Sequence, residues 1–291
     1  MTFYADSLAF LGLPGDPIFV DPDLKLNLVH LTAAPPFLKT MREVIAAVTE
    51  FRKQVEAQPR LQIVKNKREL QRALTEMPDK TVVVLGLQNL PDDVENENHL
   101  FALKEAGISI ASIAYQGRNE FGSGWLNAEL GLTNKGRDIA SSLCELSMIL
   151  DVSHNSHETA RELILLHPNC SRIMASHGGC YSLYPHMRNL PDDVLNGIAD
   201  RNGFIGIATL TFLLHRYNNG IAPVIKHLEH AASVCGSAHV GLGTDSYYIK
   251  TNYDEAQKKF NLMKTQLDPN STMLARFPDH DRHYCFADKM D

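Results

Sequence analysis

Three observations lead us to predict from the sequence an α/β protein, specifically a distorted (β/α)8 barrel of the TIM type. Short apolar runs alternate with helical patterns along almost all of the chain. Several of these runs are apolar at every position, as strands buried on both faces are. We count eight such runs, and eight is the number of strands in this barrel. A doubly wound open sheet gives the same alternation, so it stays as the competing fold.

Each predicted strand is a mainly apolar run of five to eight residues. In chain order the strands are residues 2–6, 26–32, 81–88, 108–115, 148–154, 172–177, 204–210 and 239–245.

The predicted helices carry apolar residues at spacings of three and four. They cover residues 36–57, 99–107, 134–146, 156–166, 190–203 and 222–236, and a weaker pattern covers 254–267. Most of residues 246–291 follows no clear pattern. We therefore expect one domain over residues 1–291 with an atypical C-terminal segment.

The composition indicates a single large soluble domain, with 44% apolar residues and a net charge of -6. No basic stripe is present, which argues against a nucleic-acid partner. No stretch approaches the roughly 20 apolar residues of a membrane span, and the first residues lack a signal-peptide pattern. Five cysteines without CxxC spacing are typical of reduced intracellular thiols, so we expect a cytoplasmic location: Cys144, Cys170, Cys180, Cys235 and Cys285.

Polar residues stand where the predicted strands end, and barrel chemistry takes place at the carboxyl ends of the strands. In order they are Asp6, His30, Gln88, Tyr115, His154, His177, Thr209 or Leu210, and Asp245. Two imidazoles and two carboxylates are a ligand set for zinc and related metals. Polar residues also follow strands as turn formers and helix caps. A role as turn former or helix cap would explain any single one of these residues. His154 and His177, however, end adjacent strands, which favours a metal site there.

Two other histidine groups are interpreted differently. His157 follows Asn155 and Ser156, which are helix-capping residues, and Glu158 suits a first helical turn. We therefore place His157 in that turn rather than at a metal. The cluster of His280 and His283 lies in an unpatterned tail and is interpreted as solvated surface.

Three segments together resemble the membrane (renal) dipeptidase family, peptidase family M19 of the amidohydrolase superfamily. They are residues 131–156, 175–199 and 239–245, with "DVSH", "SH", "RNLPDD" and "GLGTD" in the family's order. The resemblance is specific over residues 131–245. It implies a distorted (β/α)8 barrel that hydrolyses dipeptides with two zinc ions, bridged by a hydroxide and a glutamate. It also allows a homodimer, because many members are dimers.

Several functional residues of the family are retained on this resemblance. His154 and His177 match the two histidines of the second metal. Arg188, with Asn189 beside it, matches the arginine that binds the substrate carboxylate, a role suited to a guanidinium. Asp245 matches the carboxylate that binds a metal and handles the proton of the attacking water.

The other half of the family site is altered. The first strand should carry His-x-Asp, and here it offers Tyr4 and Asp6. Gln88 stands in place of the bridging glutamate. Tyr115 stands in place of the histidine that stabilises the transition state. A neutral amide is a poor bridge between two dications, so we do not expect a two-metal site to assemble.

The sequence thus supports two hypotheses. In the first, the chain is a divergent metal-dependent hydrolase of a small peptide or amide with at most one zinc ion. His154 and His177 hold the ion, Asp245, Asp6 or the Gln88 oxygen complete the shell, and Tyr115 replaces the missing histidine as donor. In the second, an impaired homologue binds or modifies a small amino-acid-like ligand without hydrolysing dipeptides.

Overall fold

The computed structural model describes residues 3–11, 18, 25–127, 129–166, 170–216 and 220–248. The weak helical pattern at 254–267 and the pair His280 and His283 lie outside these residues.

Ten strands form one all-parallel sheet in the described part of the chain. They are β1 (Ala5–Phe10), β2 (Leu28–Thr32), β3 (Leu61–Ile63), β4 (Thr81–Leu87), β5 (Ile108–Ser112), β6 (Ile149–Asp151), β7 (Ile173–Gly178), β8 (Phe204–Ile207), β9 (Val240–Leu242) and β10 (Ser246–Tyr247). All eight predicted strands have a counterpart, but β1 begins three residues later than predicted and runs on to Phe10, so Asp6 lies near its start rather than at its end. The short strands β3 and β10 were not predicted.

The sheet curves into a nearly closed barrel. Its strand order is β10-β1-β2-β4-β5-β6-β7-β8-β9. The short strand β3 pairs with the first half of β4, along the edge whose second half pairs with β5. The first and last parts of the barrel meet where β1 pairs with β10 and where the Asp245 amide donates to the Leu8 carbonyl at 2.9 Å. This arrangement confirms the predicted distorted (β/α)8 barrel.

Helices follow most of the strands and cover the outside of the sheet. They are α1 (Met41–Glu56), α2 (Lys67–Glu76), α3 (Glu97–Glu105), α4 (Asn134–Glu145), α5 (His157–Leu166), α6 (Asp192–Ala199), α7 (Thr211–Leu214) and α8 (Ile221–Cys235). Helix α1 begins five residues later than predicted, because Thr40 and Glu43 form a capping box that fixes its start. No helix among the described residues is long and apolar enough to cross a membrane.

The apolar core lies between the strands and the helices, with side chains such as Val83, Leu103 and Leu143 completely buried. The inside of the barrel is more polar. Ser7 donates from its hydroxyl to the carbonyls of Ser176 at 2.6 Å and Leu242 at 3.0 Å, which links β1 to β7 and β9 across the interior. The polar interior positions the residues that the sequence placed at the strand ends.

One prediction about the cysteines is wrong. Cys144 and Cys170 form a disulfide rather than free thiols. Helix α4 ends next to the segment that enters β7, because both flank β6, and this brings together two cysteines 26 residues apart. Cys180 and Cys235 are free thiols, as predicted.

Candidate functional site

Two histidines meet at the carboxyl ends of neighbouring strands. His177 lies in β7, and His154 lies three residues beyond the end of β6. Both side chains are buried, and their Nε2 atoms are 2.9 Å apart. Burial lowers the pKa of each imidazole well below its ordinary value, and Arg188 adds to the effect, so both rings are neutral. Adjacent strands thus aim two neutral imidazole nitrogens at one point.

Tyr115 and Arg188 contact His154 from two sides. The Tyr115 ring stacks on the His154 ring with centroids 4.0 Å apart. The Arg188 guanidinium donates from Nη2 to His154 Nε2 at 3.2 Å and from Nη1 to the Ser153 carbonyl. Arg188 is itself buried, and burial lowers its pKa while Asp245 acts in the opposite direction. A guanidinium therefore lies at the ring nitrogen that a metal would use.

Asp245 approaches the histidine pair from the seam of the barrel. It lies between β9 and β10 in a left-handed conformation with φ 53°, uncommon for a residue other than glycine. Its Oδ2 is 3.8 Å from His177 Nε2, and its side chain is 16% exposed. Burial raises the pKa of Asp245 to about 7, and Arg188 opposes this rise. Burial also raises the pKa of Tyr115, so its phenol keeps its proton.

Asp6 is buried near the same seam, but its carboxylate is engaged by other parts of the protein. Oδ1 accepts from the backbone amides of Leu8 at 3.1 Å and Thr244 at 2.9 Å. Oδ2 accepts from the Thr244 hydroxyl at 2.6 Å and the Tyr248 hydroxyl at 2.8 Å. Because four donors already surround it, the contacts of Asp6 give it a structural role in joining β1 to the last strands. Its metal-ligand role stays a prediction.

The remaining predicted residues also make structural contacts. Gln88 follows β4 and donates from its amide to the Thr32 hydroxyl at 2.7 Å. Asn189 is completely buried and donates to the carbonyls of Tyr184 at 2.9 Å and Leu213 at 2.6 Å. These bonds fasten the loop that carries Arg188, and the predicted contact of Asn189 with substrate stays a prediction. Tyr4, which replaces a family histidine, is 51% exposed ahead of β1.

His157 lies where the sequence placed it, in the first turn of α5, and its Nε2 contacts the Asn189 carbonyl at 2.8 Å. This contact ties the first turn of α5 to the loop that contains Arg188.

Two further buried groups lie beneath the histidine pair: Asp151, which the sequence analysis missed, and His30, which it placed at a strand end without giving it a role. Asp151, the last residue of β6, accepts hydrogen bonds from Ser153 and Ser176. His30 on β2 has its Nδ1 2.7 Å from the Ser7 carbonyl, and its Nε2 has no hydrogen-bond partner in the described part of the chain. Asp151 belongs to the motif "DVSH", so a signal for it was present in the sequence.

The side chains around the histidine pair are of the types that bind a metal ion. His154 and His177 supply two converging Nε2 atoms, and Asp245 supplies a carboxylate on the same side. His154 Nδ1 is buried with no hydrogen-bond partner among the described residues, so the polar contacts of this ring are those of its Nε2 with His177 and Arg188. Within the same residues, no three His, Cys, Asp or Glu side chains converge closely enough to hold a metal as they stand. The donor types are those of zinc sites, while their present arrangement does not enclose a metal position.

A family model supports the resemblance drawn from the motifs. The model for membrane dipeptidases, peptidase family M19, matches residues 17–267.

Two curated proteins show a similar likeness. Dipeptidase aclJ of Aspergillus oryzae is 30% identical over 180 residues, which make up 58% of this chain and 41% of that protein. An uncharacterised dipeptidase of Schizosaccharomyces pombe is 30% identical over 168 residues, 56% of this chain and 41% of that protein. The match therefore spans less than half the length of these relatives.

Solved structures share the fold. An amidohydrolase from Pseudomonas aeruginosa superposes with a TM-score of 0.73 at 21% identity, covering 86% of this chain and 76% of that one. A metallopeptidase from Rhodobacter sphaeroides, bound to a phosphinate mimic of the dipeptide L-Ala-D-Ala, superposes with a TM-score of 0.68 at 17% identity, covering 92% and 93%. At these identities the likeness supports the barrel architecture alone.

Proposed function

This chain belongs to the membrane dipeptidase family, peptidase family M19, and on that premise we propose a divergent metal-dependent hydrolase of a small peptide or amide with at most one zinc ion. The observation that carries the proposal is the 2.9 Å approach of His154 Nε2 to His177 Nε2, with an Asp245 oxygen 3.8 Å from the second of them. Two neutral imidazoles and one carboxylate match the ligand types of hydrolytic zinc sites.

Each residue has a role that its position supports. His154 and His177 would hold the ion, and its chemistry would be to activate a water as nucleophile at neutral pH. Asp245 accepts a proton from the attacking water. Arg188 would bind the carboxylate of the ligand through its guanidinium, after giving up its bonds to His154 and the Ser153 carbonyl. Tyr115 donates a hydrogen bond to the developing oxyanion, which its raised pKa favours by keeping the phenol protonated.

A second candidate is a homologue that binds a small amino-acid-like ligand without hydrolysing dipeptides. It is favoured by the contacts of Asp6, whose carboxylate accepts four hydrogen bonds from protein donors, and of Gln88, which is neutral and bonded to Thr32. Neither Asp6 nor Gln88 is placed to bind the first of the two metal ions that members of the family use. Loss of one oxyanion donor alone typically costs about 10²–10³ in rate.

The ligand, assembly and location are proposals as well. The R. sphaeroides metallopeptidase carries a dipeptide mimic, which supports a dipeptide-like ligand here. A homodimer rests on the family alone and is tested by light scattering after size-exclusion chromatography. A cytoplasmic location is opposed by the Cys144–Cys170 disulfide, because disulfides persist mainly in oxidising compartments.

Metal analysis combined with a hydrolysis assay tests the function. The protein is equilibrated with zinc, desalted and analysed for metal, and amino-acid release is measured with a panel of dipeptides. We expect at most one equivalent of zinc, lost in His154→Ala and kept in His99→Ala, a control on α3 away from the site. Two equivalents with rapid turnover would refute the single-metal hydrolase. No zinc in any preparation would also refute it and leave the ligand-binding homologue.

A further inference from the structure

Asp151 is a buried carboxylate beneath the site that accepts four hydrogen bonds. It is 1% exposed at the end of β6. Its Oδ1 accepts from the Ser153 amide at 3.0 Å, the Ser153 hydroxyl at 2.6 Å and the Ser176 amide at 2.9 Å, and its Oδ2 accepts from the Ser176 hydroxyl at 2.5 Å. One buried anion thus bonds two serines on two different strand ends.

Each of these serines directly precedes a proposed metal ligand. Ser153 precedes His154, and Ser176 precedes His177. The Ser153 hydroxyl also accepts from the backbone amide of His177 at 3.0 Å. The backbones that present the two imidazoles are therefore tied to each other through Asp151 and its two serines.

The same contacts define which nitrogen of His177 carries the ring proton. The Ser176 hydroxyl has one hydrogen, and its 2.5 Å contact with the Asp151 carboxylate is a charge-assisted bond, stronger than a bond to a neutral ring. The Ser176 oxygen lies 2.7 Å from His177 Nδ1 and has lone pairs left to accept. His177 therefore donates from Nδ1, and its Nε2 presents a lone pair.

His154 presents a lone pair as well, because its Nε2 accepts from the Arg188 guanidinium. The two Nε2 atoms lie at hydrogen-bond distance, 2.9 Å, but the contacts of Ser176 and Arg188 leave a lone pair on each, and two such lone pairs repel each other unless positive charge lies near both. Metal-binding histidines generally donate their other ring N–H to an outer group that fixes the tautomer, and loss of that group costs about 10–100-fold in metal affinity.

We propose that Asp151 is a positioning residue that, acting through the Ser176 hydroxyl, holds His177 as the Nδ1–H tautomer with Nε2 directed at the metal position. The inference rests on the proposed single-metal function for its purpose, but the tautomer itself belongs to the metal-free protein. In the alternative, Asp151 only fastens β6 to β7 and has no effect on the ring.

Nitrogen-15 NMR of the histidine side chains distinguishes the two. The metal-free wild-type protein is compared with Ser176→Ala, Asp151→Asn and Ser233→Ala, the last a control whose exposed hydroxyl bonds the His230 carbonyl on α8. His177 is identified as the imidazole missing from a His177→Gln spectrum. We expect His177 to be Nδ1–H in the wild type and the control, and to change towards Nε2–H in Ser176→Ala. Asp151→Asn carries the greater risk of misfolding, so the serine variant decides the outcome.

Zinc affinity gives the second measurement. We expect Ser176→Ala to bind zinc about 10–100-fold more weakly than the wild type, and Ser233→Ala to match the wild type. A wild-type His177 that is Nε2–H, or a Ser176→Ala protein with the wild-type tautomer, overturns the inference. A wild-type protein that binds no zinc but shows the serine-dependent Nδ1–H tautomer refutes the proposed function and sustains the inference.

Discussion

Removal of the Arg188 guanidinium should strengthen zinc binding, although Arg188 is proposed to bind substrate. The group is buried, and its Nη2 lies 3.2 Å from His154 Nε2, the atom that would hold the ion. Zinc and the guanidinium are both cations directed at one nitrogen. The substitution Arg188→Met keeps much of the side-chain length and removes the charge.

The expected gain in zinc affinity follows from comparing two ways in which the wild-type protein could bind zinc. In the first, Arg188 keeps its place beside the ion. Zinc binds imidazole at about 2.1 Å, so the ion would lie no farther than about 5 Å from Arg188 Nη2. At an effective dielectric constant of about 20, charges of +2 and +1 at that distance repel by about 7 kcal/mol. Alternatively, Arg188 turns away and gives up its bonds to His154 and Ser153, at a net cost of roughly 1.5–3 kcal/mol. The second route is easier, so Arg188→Met should bind zinc about 10–100-fold more tightly.

Competition against a chromophoric zinc chelator measures this change in the metal-free protein. Arg188→Lys keeps the charge and should bind zinc less tightly than the methionine variant. Arg161→Met is the matched control, since Arg161 pairs with Asp193 at the surface, and it should behave as wild type. If Arg188→Met binds zinc no more tightly than the wild type, the proposed competition between guanidinium and metal is wrong.

Two further predictions concern stability. The Cys144–Cys170 disulfide closes a loop with a sequence separation of 26, so Cys144→Ser should lower the free energy of unfolding by about 3.5 kcal/mol and the melting temperature by about 6 °C. Reductant should lower the wild-type melting temperature equally and leave the variant unchanged, and a wild type insensitive to reductant contradicts this. A Cβ at Gly86 would lie 2.1 Å from His30 Nε2, whereas one at Gly117 would meet nothing within 4 Å. The free energy of unfolding of Gly86→Ala, measured by denaturant titration, should therefore be about 1–3 kcal/mol lower than that of the wild type, while Gly117→Ala stays near wild type. Equal stability of the two variants would disprove the contact.

The barrel was predictable because eight of its strands overlap mainly apolar runs of five to eight residues. The two strands that were missed, Leu61–Ile63 and Ser246–Tyr247, have three and two residues and show no periodicity. Elements formed mainly by tertiary contacts leave little trace in local sequence. Helix α2 was also missed, although Leu70, Ala73 and Leu74 stand at helical spacing and pack together, so a signal for it was present in the sequence.

The candidate site, too, was predictable only in part from the sequence. Its histidines could be located because each ends a strand, and β6 and β7 are neighbours. The bonds of Asp6 to Thr244 join residues 238 apart, and no local pattern predicts them. Likewise, the role inferred for Asp151 depends on two serines brought together by strand pairing. The sequence thus indicated which residues were chemically suitable, while their division between site and scaffold required the three-dimensional contacts.

The seam between β1 and β10 has a consequence for the order of folding. Asp245 lies directly before β10, and its amide bonds Leu8 in β1, so this carboxylate reaches the histidines only after the two ends of the barrel have met. Contacts between residues so far apart in sequence form slowly, because a long loop must close first. The two imidazoles, 23 residues apart on adjacent strands, can come together much earlier. We therefore expect barrel closure to complete the candidate site, by bringing Asp245 to a histidine pair that has already formed.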